Sequence, residues 1–89
     1  MPKIRFTQNI QRHVSCPDEN LTGSNVEEVL KTYFAKHPDA RGYVLDDQGR
    51  LRKHMAIFVD GSHIQDPSAQ SDPVGPDSII DVLQALSGG

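Results

Sequence analysis

Ser24-Asn25-Val26-Glu27-Glu28-Val29-Leu30-Lys31-Thr32-Tyr33-Phe34-Ala35-Lys36-His37-Pro38 is the stretch on which the fold turns. Val26, Val29, Leu30, Tyr33 and Phe34 recur at i, i+3, i+4, i+7 and i+8, a single apolar stripe on a helix of about three turns. Ser24 followed three residues later by Glu27 fits a capping box. Glu27, Glu28, Lys31 and Lys36 take the wet side, with acid at the start and base at the end, as the helix dipole favours. Pro38 closes the helix and pushes His37 out of helical geometry. A helix with one apolar face needs a second apolar surface to cover it.

Outward from the helix, the flanking segments read as strands. In Lys3-Ile4-Arg5-Phe6-Thr7, apolar Ile4 and Phe6 alternate with polar neighbours, the period-two signal of a half-buried strand. After a turn at Gln8-Asn9, residues 11–16 read as a weaker strand pairing back as a hairpin, stopped at Pro17. Beyond the helix, Tyr43-Val44-Leu45 is a short apolar patch, read as one helical turn on the core. Asp46-Asp47-Gln48-Gly49 is a turn. Residues 51–60 form the second clear element, with Met55, Ile57 and Val59 on one face and His54, Ala56 and Phe58 on the other. Asp60-Gly61 is a strong turn signal, and His63-Ile64 adds a short strand. Residues 65–76, polar and carrying Pro67, Pro73 and Pro76, read as the most mobile loop. A last strand follows at 78–83. The expected fold is therefore α+β, a roll in which a mixed sheet of four to five strands packs on one main helix.

Length and charge restrict the function. The chain has 89 residues, 36% of them hydrophobic and 24% charged. That suits one small domain over residues 1–89, burying about 60% of its unfolded surface. It leaves no room for a deep substrate cavity, so a carrier, binding module or small subunit is expected rather than a self-sufficient enzyme. A formal charge of −3 argues against nucleic acid, whose binders carry a basic excess. The basic cluster at 50–54 reads as the solvated start of a strand. One cysteine, Cys16, cannot make an internal disulfide. No long apolar run or basic-then-apolar leader is seen, so the expectation is no membrane and a cytoplasmic location.

Candidate catalytic groups are few. Cys16 has no evident base to activate it and reads as a structural thiol. His13, His37, His54 and His63 lack metal-ligand spacing. Asp46-Asp47 reads as a turn rather than a calcium loop. No glycine-rich phosphate loop is present. No metal and no bound cofactor are expected. The chain stops at Gly88-Gly89, just past the last strand. Glycines have no side chain, so such a tail can thread a narrow channel and deliver its carboxylate to another protein's active site. A frayed end or an added segment is the other origin for two terminal glycines.

These features together resemble the MoaD/ThiS family of ubiquitin-like β-grasp sulfur carriers. The opening strand matches at Ile4 and Phe6. A family helix start like VxEVL is matched by Val26-Glu27-Glu28-Val29-Leu30, with Pro38 soon after the helix. A mid-chain pattern like VFVNG is matched by Ile57-Phe58-Val59-Asp60-Gly61. The chain ends in a strand, a small residue and two glycines. The likeness spans nearly the whole sequence. It departs at Gly75-Pro76-Asp77, where the family often has DGD, at Gln84-Ala85, where prolines are frequent, and in the length of the 65–76 loop.

The resemblance implies a β-grasp fold and a carrier mechanism, not an enzyme. A ubiquitin-activating-type adenylyltransferase would spend ATP to adenylate the Gly89 carboxylate. A sulfide or persulfide donor would then displace AMP to leave a thiocarboxylate. The tail would give up that sulfur in a partner synthase making molybdopterin, thiamin, cysteine or a similar product. Gly89 is the reacting residue, Gly88 its partner in the tail, and Ser87 and Leu86 set the tail's path. Phe58 and nearby apolar residues are candidates for partner docking, or for the core. Two alternatives stand beside this reading: a protein modifier joined through Gly89 to a lysine, and a plain β-grasp interaction module.

Overall fold

The computed structural model describes residues 1–84. The tail candidates Leu86, Ser87, Gly88 and Gly89 lie outside the described residues. The elements in chain order are β1 (Lys3–Phe6), α1 (Gln8–Gln11), β2 (Glu19–Asn20), α2 (Val26–Lys36), α3 (Pro38–Val44), β3 (Met55–Val59), β4 (Ser62–His63) and β5 (Ile79–Gln84). The strands form one mixed five-stranded sheet in the order β2-β1-β5-β3-β4. β5, last in the chain, is central: parallel to β1 and antiparallel to β3. This is the expected α+β architecture with α2 as its main helix.

The stripe does what its spacing dictates. Val26, Val29, Leu30, Tyr33 and Phe34 are all buried, in one core with Ile4, Phe6, Ile57, Ile80 and Val82 of the sheet. Burying each of these large side chains contributes about 1.5–3 kcal/mol. Tyr33 is the centre: its ring lies 4.8 Å from that of Phe6, and its hydroxyl donates to the Pro17 carbonyl at 2.7 Å. That bond satisfies the one polar atom the ring carries inside. Burial pushes the Tyr33 phenol well above its ordinary value.

The helix start differs by one residue from the expected box. Asn25 is the N-cap and its side chain accepts from the Glu28 N–H at 2.8 Å, while the Glu28 carboxylate accepts from the Ser24 N–H and hydroxyl. Two cap-competent residues stand side by side at 24 and 25, and each has a glutamate three positions on. The decision comes from the 65–76 loop. Val26 N–H donates to the Asp72 carbonyl at 3.0 Å and Glu27 N–H to that of Gln70 at 2.9 Å. Val29 N–H reaches the Asn25 carbonyl. All four donors of the first turn are thus satisfied. The loop read as the most mobile segment is cross-tied by the Asp66 and Asp72 carboxylates, which accept from the 65, 66, 69 and 71 backbone N–H groups.

Three further expectations are corrected. Residues 11–16 are not a hairpin strand: α1 occupies Gln8–Gln11, and β2 at Glu19–Asn20 pairs with β1 instead. A helical turn there buries Ile10, and the following loop buries Cys16. Pro38 does not only end a helix; it opens α3, at the first helical position where its missing N–H costs nothing. Tyr43 and Val44 of the apolar patch end that helix, and Leu45 caps it with extended backbone. The third strand begins at Met55, because Met55 N–H turns back to the Arg52 carbonyl.

Candidate functional site

β5 is held firmly where it begins. Asp60 and Gly61 have φ of 51° and 85°, the two positive values of a type I′ hairpin turn, which Asp and Gly tolerate. The turn hands the Asp60 carboxylate to β5: it accepts from Ile79 N–H at 2.9 Å and from the Ser78 hydroxyl at 3.0 Å. Ser78 is buried and its Oγ also accepts from Gly75 N–H at 2.8 Å. Lys3 N–H closes the set on the Ser78 carbonyl.

The other end of β5 leads to the tail. Gln84, the last described residue, pairs with Met55 and accepts at its side-chain oxygen from Asn9 Nδ2 at 3.1 Å. Beside it lies a cleft of about 160 Å³ lined by Ile10, His13, Tyr43, His54, Met55 and Gln84. His13 stacks on the Tyr43 ring at 6.1 Å. A larger groove, about 590 Å³, runs along α2 between Arg41 and Gln70, and its lining among the described residues includes none from β5. Size alone would therefore point away from the tail.

The sheet face turned away from α2 forms the second part of the site. Register places Arg5, Asp81, Phe58 and His63 in one row across β1, β5, β3 and β4. Arg5 grips Asp81 with two bonds of 2.7 and 3.0 Å, the forked geometry suited to carboxylates. Phe58 is half-buried and meets the His63 ring edge-on at 5.1 Å. Leu83 and Ala56 pair in the next row, also half-buried. Phe58 lies on this outer, half-buried face and not in the core.

The remaining candidates fall into structural roles. Cys16 is buried and burial pushes its thiol up, away from the nucleophilic form. Asp46 accepts from the Arg50 and Gln48 N–H groups, which hold its carboxyl below the usual range, and Gly49 completes that turn at φ 78°. His37 donates to Glu19, and His63 Nδ1 faces the Ile64 carbonyl. His13 and His54 share the cleft, but no group of three or more metal-ligating side chains stands together among the described residues. No helix among them is long and apolar enough to cross a membrane. Sequence reading missed the second role of Asp60, the Arg5–Asp81 pair and the cleft. The opposite charges at 5 and 81 were visible, but pairing them requires knowing that the first and last strands are neighbours.

The sequence model of the ThiS family matches residues 6–89. No curated protein sequence matches the chain. Among solved structures, a chain of the Amycolatopsis orientalis BexX/CysO complex superposes with a TM-score of 0.82 at 13% identity, covering 100% of both chains. Mycobacterium tuberculosis CysO gives 0.81 at 12% identity, covering 97% of this chain and 100% of that one. The small archaeal modifier protein 1 of Methanosarcina acetivorans gives 0.79 at 20% identity, covering 99% and 95%. At such identities the structural likeness establishes the β-grasp fold.

Proposed function

We propose a mechanism from this premise: the chain belongs to the ThiS family, and is a small sulfur carrier or ubiquitin-like modifier rather than a catalyst. Within that pair of readings we favour the sulfur carrier. A carboxylate is a poor electrophile, so an adenylyltransferase of the ubiquitin-activating type joins the Gly89 carboxylate to AMP from ATP and releases pyrophosphate. Hydrosulfide from a sulfur donor then adds to the acyl carbon and expels AMP, leaving a thiocarboxylate and a proton. The thiocarboxylate, a soft nucleophile, passes its sulfur to a partner synthase in cofactor or amino-acid biosynthesis.

The observation that carries this reading is a family match that runs through Gly88 and Gly89. The fold supports it, because the last strand is the central one and is anchored at its start by Asp60. A tail leaving the middle strand has a fixed origin from which to enter a partner's channel. The half-buried patch of Phe58, Ala56 and Leu83, from two adjacent rows, offers a docking surface beside that origin. One solved neighbour comes from a BexX/CysO complex, in keeping with a carrier that works by docking on a partner. The modifier reading draws on the archaeal modifier neighbours.

Intact mass of the full chain, before and after incubation with ATP, an activating enzyme and sulfide, separates the readings. The expected result is a gain equal to exchanging one oxygen for sulfur, mapped to Gly89 and lost when Gly89 is deleted. A covalent conjugate to a lysine favours the modifier. An unchanged mass with an activating enzyme proven active on its own carrier overturns both and leaves an interaction module.

A further inference from the structure

The groove along α2 is built around one buried amide. Leu30, Phe34 and Leu45, all buried, form its floor, and the exposed Lys31 and Arg41 stand at its rim. Gln70, only 3% exposed, lines it from the 65–76 loop. Its φ of 54° is left-handed, a conformation that glutamine keeps only where its surroundings fix it. Here they do. The Gln70 carbonyl accepts from Glu27 N–H at 2.9 Å, and the Gln70 N–H donates to the Asp66 carbonyl at 2.7 Å. The side-chain Nε2 donates to the Gly49 carbonyl at 3.2 Å and to the Pro67 carbonyl at 2.7 Å. Two carbonyl partners use both amide protons and fix which terminal atom is the oxygen.

Gln70 Oε1 is then left over. Among the described residues, Thr7 Oγ1 is the one side-chain polar atom that is both sealed from solvent and without a partner. Gln70 Oε1 is therefore open to the groove that Gln70 lines. A fixed acceptor beside an apolar floor favours an occupant that brings an N–H or O–H donor, because an unmatched polar group there is costly. Charge adds a second requirement. Lys31 and Arg41 line the groove against one carboxylate, Glu27, in a chain of net charge −3. Neither cation is in an ion pair among the described residues. Arg41 Nη2 lies 3.9 Å from the point where a Cβ on Gly49 would stand. The guanidinium thus hangs over the same glycine whose carbonyl Gln70 holds.

We propose that this groove seats an extended, acidic segment of a partner protein. A backbone N–H of the segment donates to Gln70 Oε1, an apolar side chain lies over Leu30 and Phe34, and flanking carboxylates meet Lys31 and Arg41. The length fits. Glu27 to Ala35 runs about 12 Å along the helix, which is about three to four residues of extended chain. The groove lies on the helix side of the sheet, whereas Phe58 and Leu83 lie on the outer side. A partner segment held here leaves the outer sheet face free. The proposal goes beyond the carrier reading and does not depend on it.

The test is a titration of the isotope-labelled full chain, followed through its backbone amide shifts. The probe is a blocked hexapeptide of leucine and phenylalanine flanked on each side by two aspartates. The same peptide with lysines for aspartates, and octanoate, are the comparisons. The expected result is saturable shifts at residues 27–35, 49 and 70 with the aspartate peptide. Reversing both exposed cations, Lys31→Glu with Arg41→Glu, weakens that binding by about fivefold or more and turns the preference toward the lysine peptide. The absence of saturable shifts with the aspartate peptide overturns the proposal. So does equal binding of the two peptides by the unaltered chain, which would remove the role of the cations. Shifts confined to the rows of Phe58 and Leu83 would assign acidic segments to the sheet face instead. Octanoate binding in the groove as tightly as the peptide would make it a site for small amphipathic anions and overturn the peptide assignment. None of these outcomes bears on the mass experiment at Gly89.

Discussion

The two ends of β5 are built in opposite ways. At Ile79 the strand is bound by backbone and side-chain bonds that converge on a buried serine and one aspartate, Ser78 and Asp60. At Gln84 it is held by its pairing to Met55 and one exposed side-chain bond from Asn9. The difference shows that one strand can be tied tightly at its start and lightly at its last described residue. The bonds are concentrated at the start of the strand, and its last described residue, Gln84, lines a cleft.

The comparison can be broken most severely inside the anchored half. Ile80 is fully buried in the first rows of β5. Ile80→Ala should cost about 2–5 kcal/mol, read as a lower urea midpoint at unchanged slope. A loss under about 1 kcal/mol would mean that the anchored half collapses around the void, against the rigid packing argued above. Next comes Asp60→Ala, which removes the acceptor of Ile79 N–H and the Ser78 hydroxyl and puts alanine at positive φ. About 1–3 kcal/mol is expected, with Asp60→Asn between it and the unaltered chain because asparagine keeps the turn.

Acid sharpens the contrast further. Glu19 lies in the same cross-strand row as Ile4 and Ile80. Hydrogen bonds from His37 and then Lys36 hold its carboxyl below the ordinary range. Its folded value is depressed, so its stabilising contribution is complete above the unfolded value and is lost as pH falls through the folded one. Glu19→Gln should therefore lower stability modestly at neutral pH and flatten its decline on acidification, in melts across a pH series. An unchanged acid limb would mean that the Glu19 contacts to His37 and Lys36 add nothing to stability. The smallest effect belongs to the tail end: Asn9→Ala should move the urea midpoint by no more than about 0.5 kcal/mol equivalent. If it matches Asp60→Ala, the two ends are equally tied and the comparison fails.

Much of this was readable before any coordinates. The stripe from Val26 to Phe34 has a period that only a helix can bury on one side. The Asp60-Gly61 turn and the inner face of Met55 and Ile57 follow from residue type and alternation. Elsewhere local preference misleads. Residues 11–16 read as a weak strand on His13 and Val14, yet burying Ile10 near the end of β5 requires a helical turn. Ser24 and Asn25 are equivalent caps in isolation, and the carbonyls of residues 70 and 72 choose between them. The tail is the reverse case: Gly88 and Gly89 are plain in the sequence and lie outside the described structure.

By itself, then, the sequence determined the elements whose signals are local, namely the amphipathic helix, the alternating strands, the tight turn and the glycine pair. These depend on neighbours within about two helical turns, where backbone geometry dictates which side chains share a face. Only the tertiary structure decided which strand is central, that Asp60 anchors β5, that Arg5 faces Asp81, and that Ile10, Tyr43, Met55 and Gln84 close a cleft. Those contacts join residues 18 to 76 positions apart. No local preference encodes them, because they arise when the sheet covers the one apolar face of α2 and the first and last strands are brought side by side.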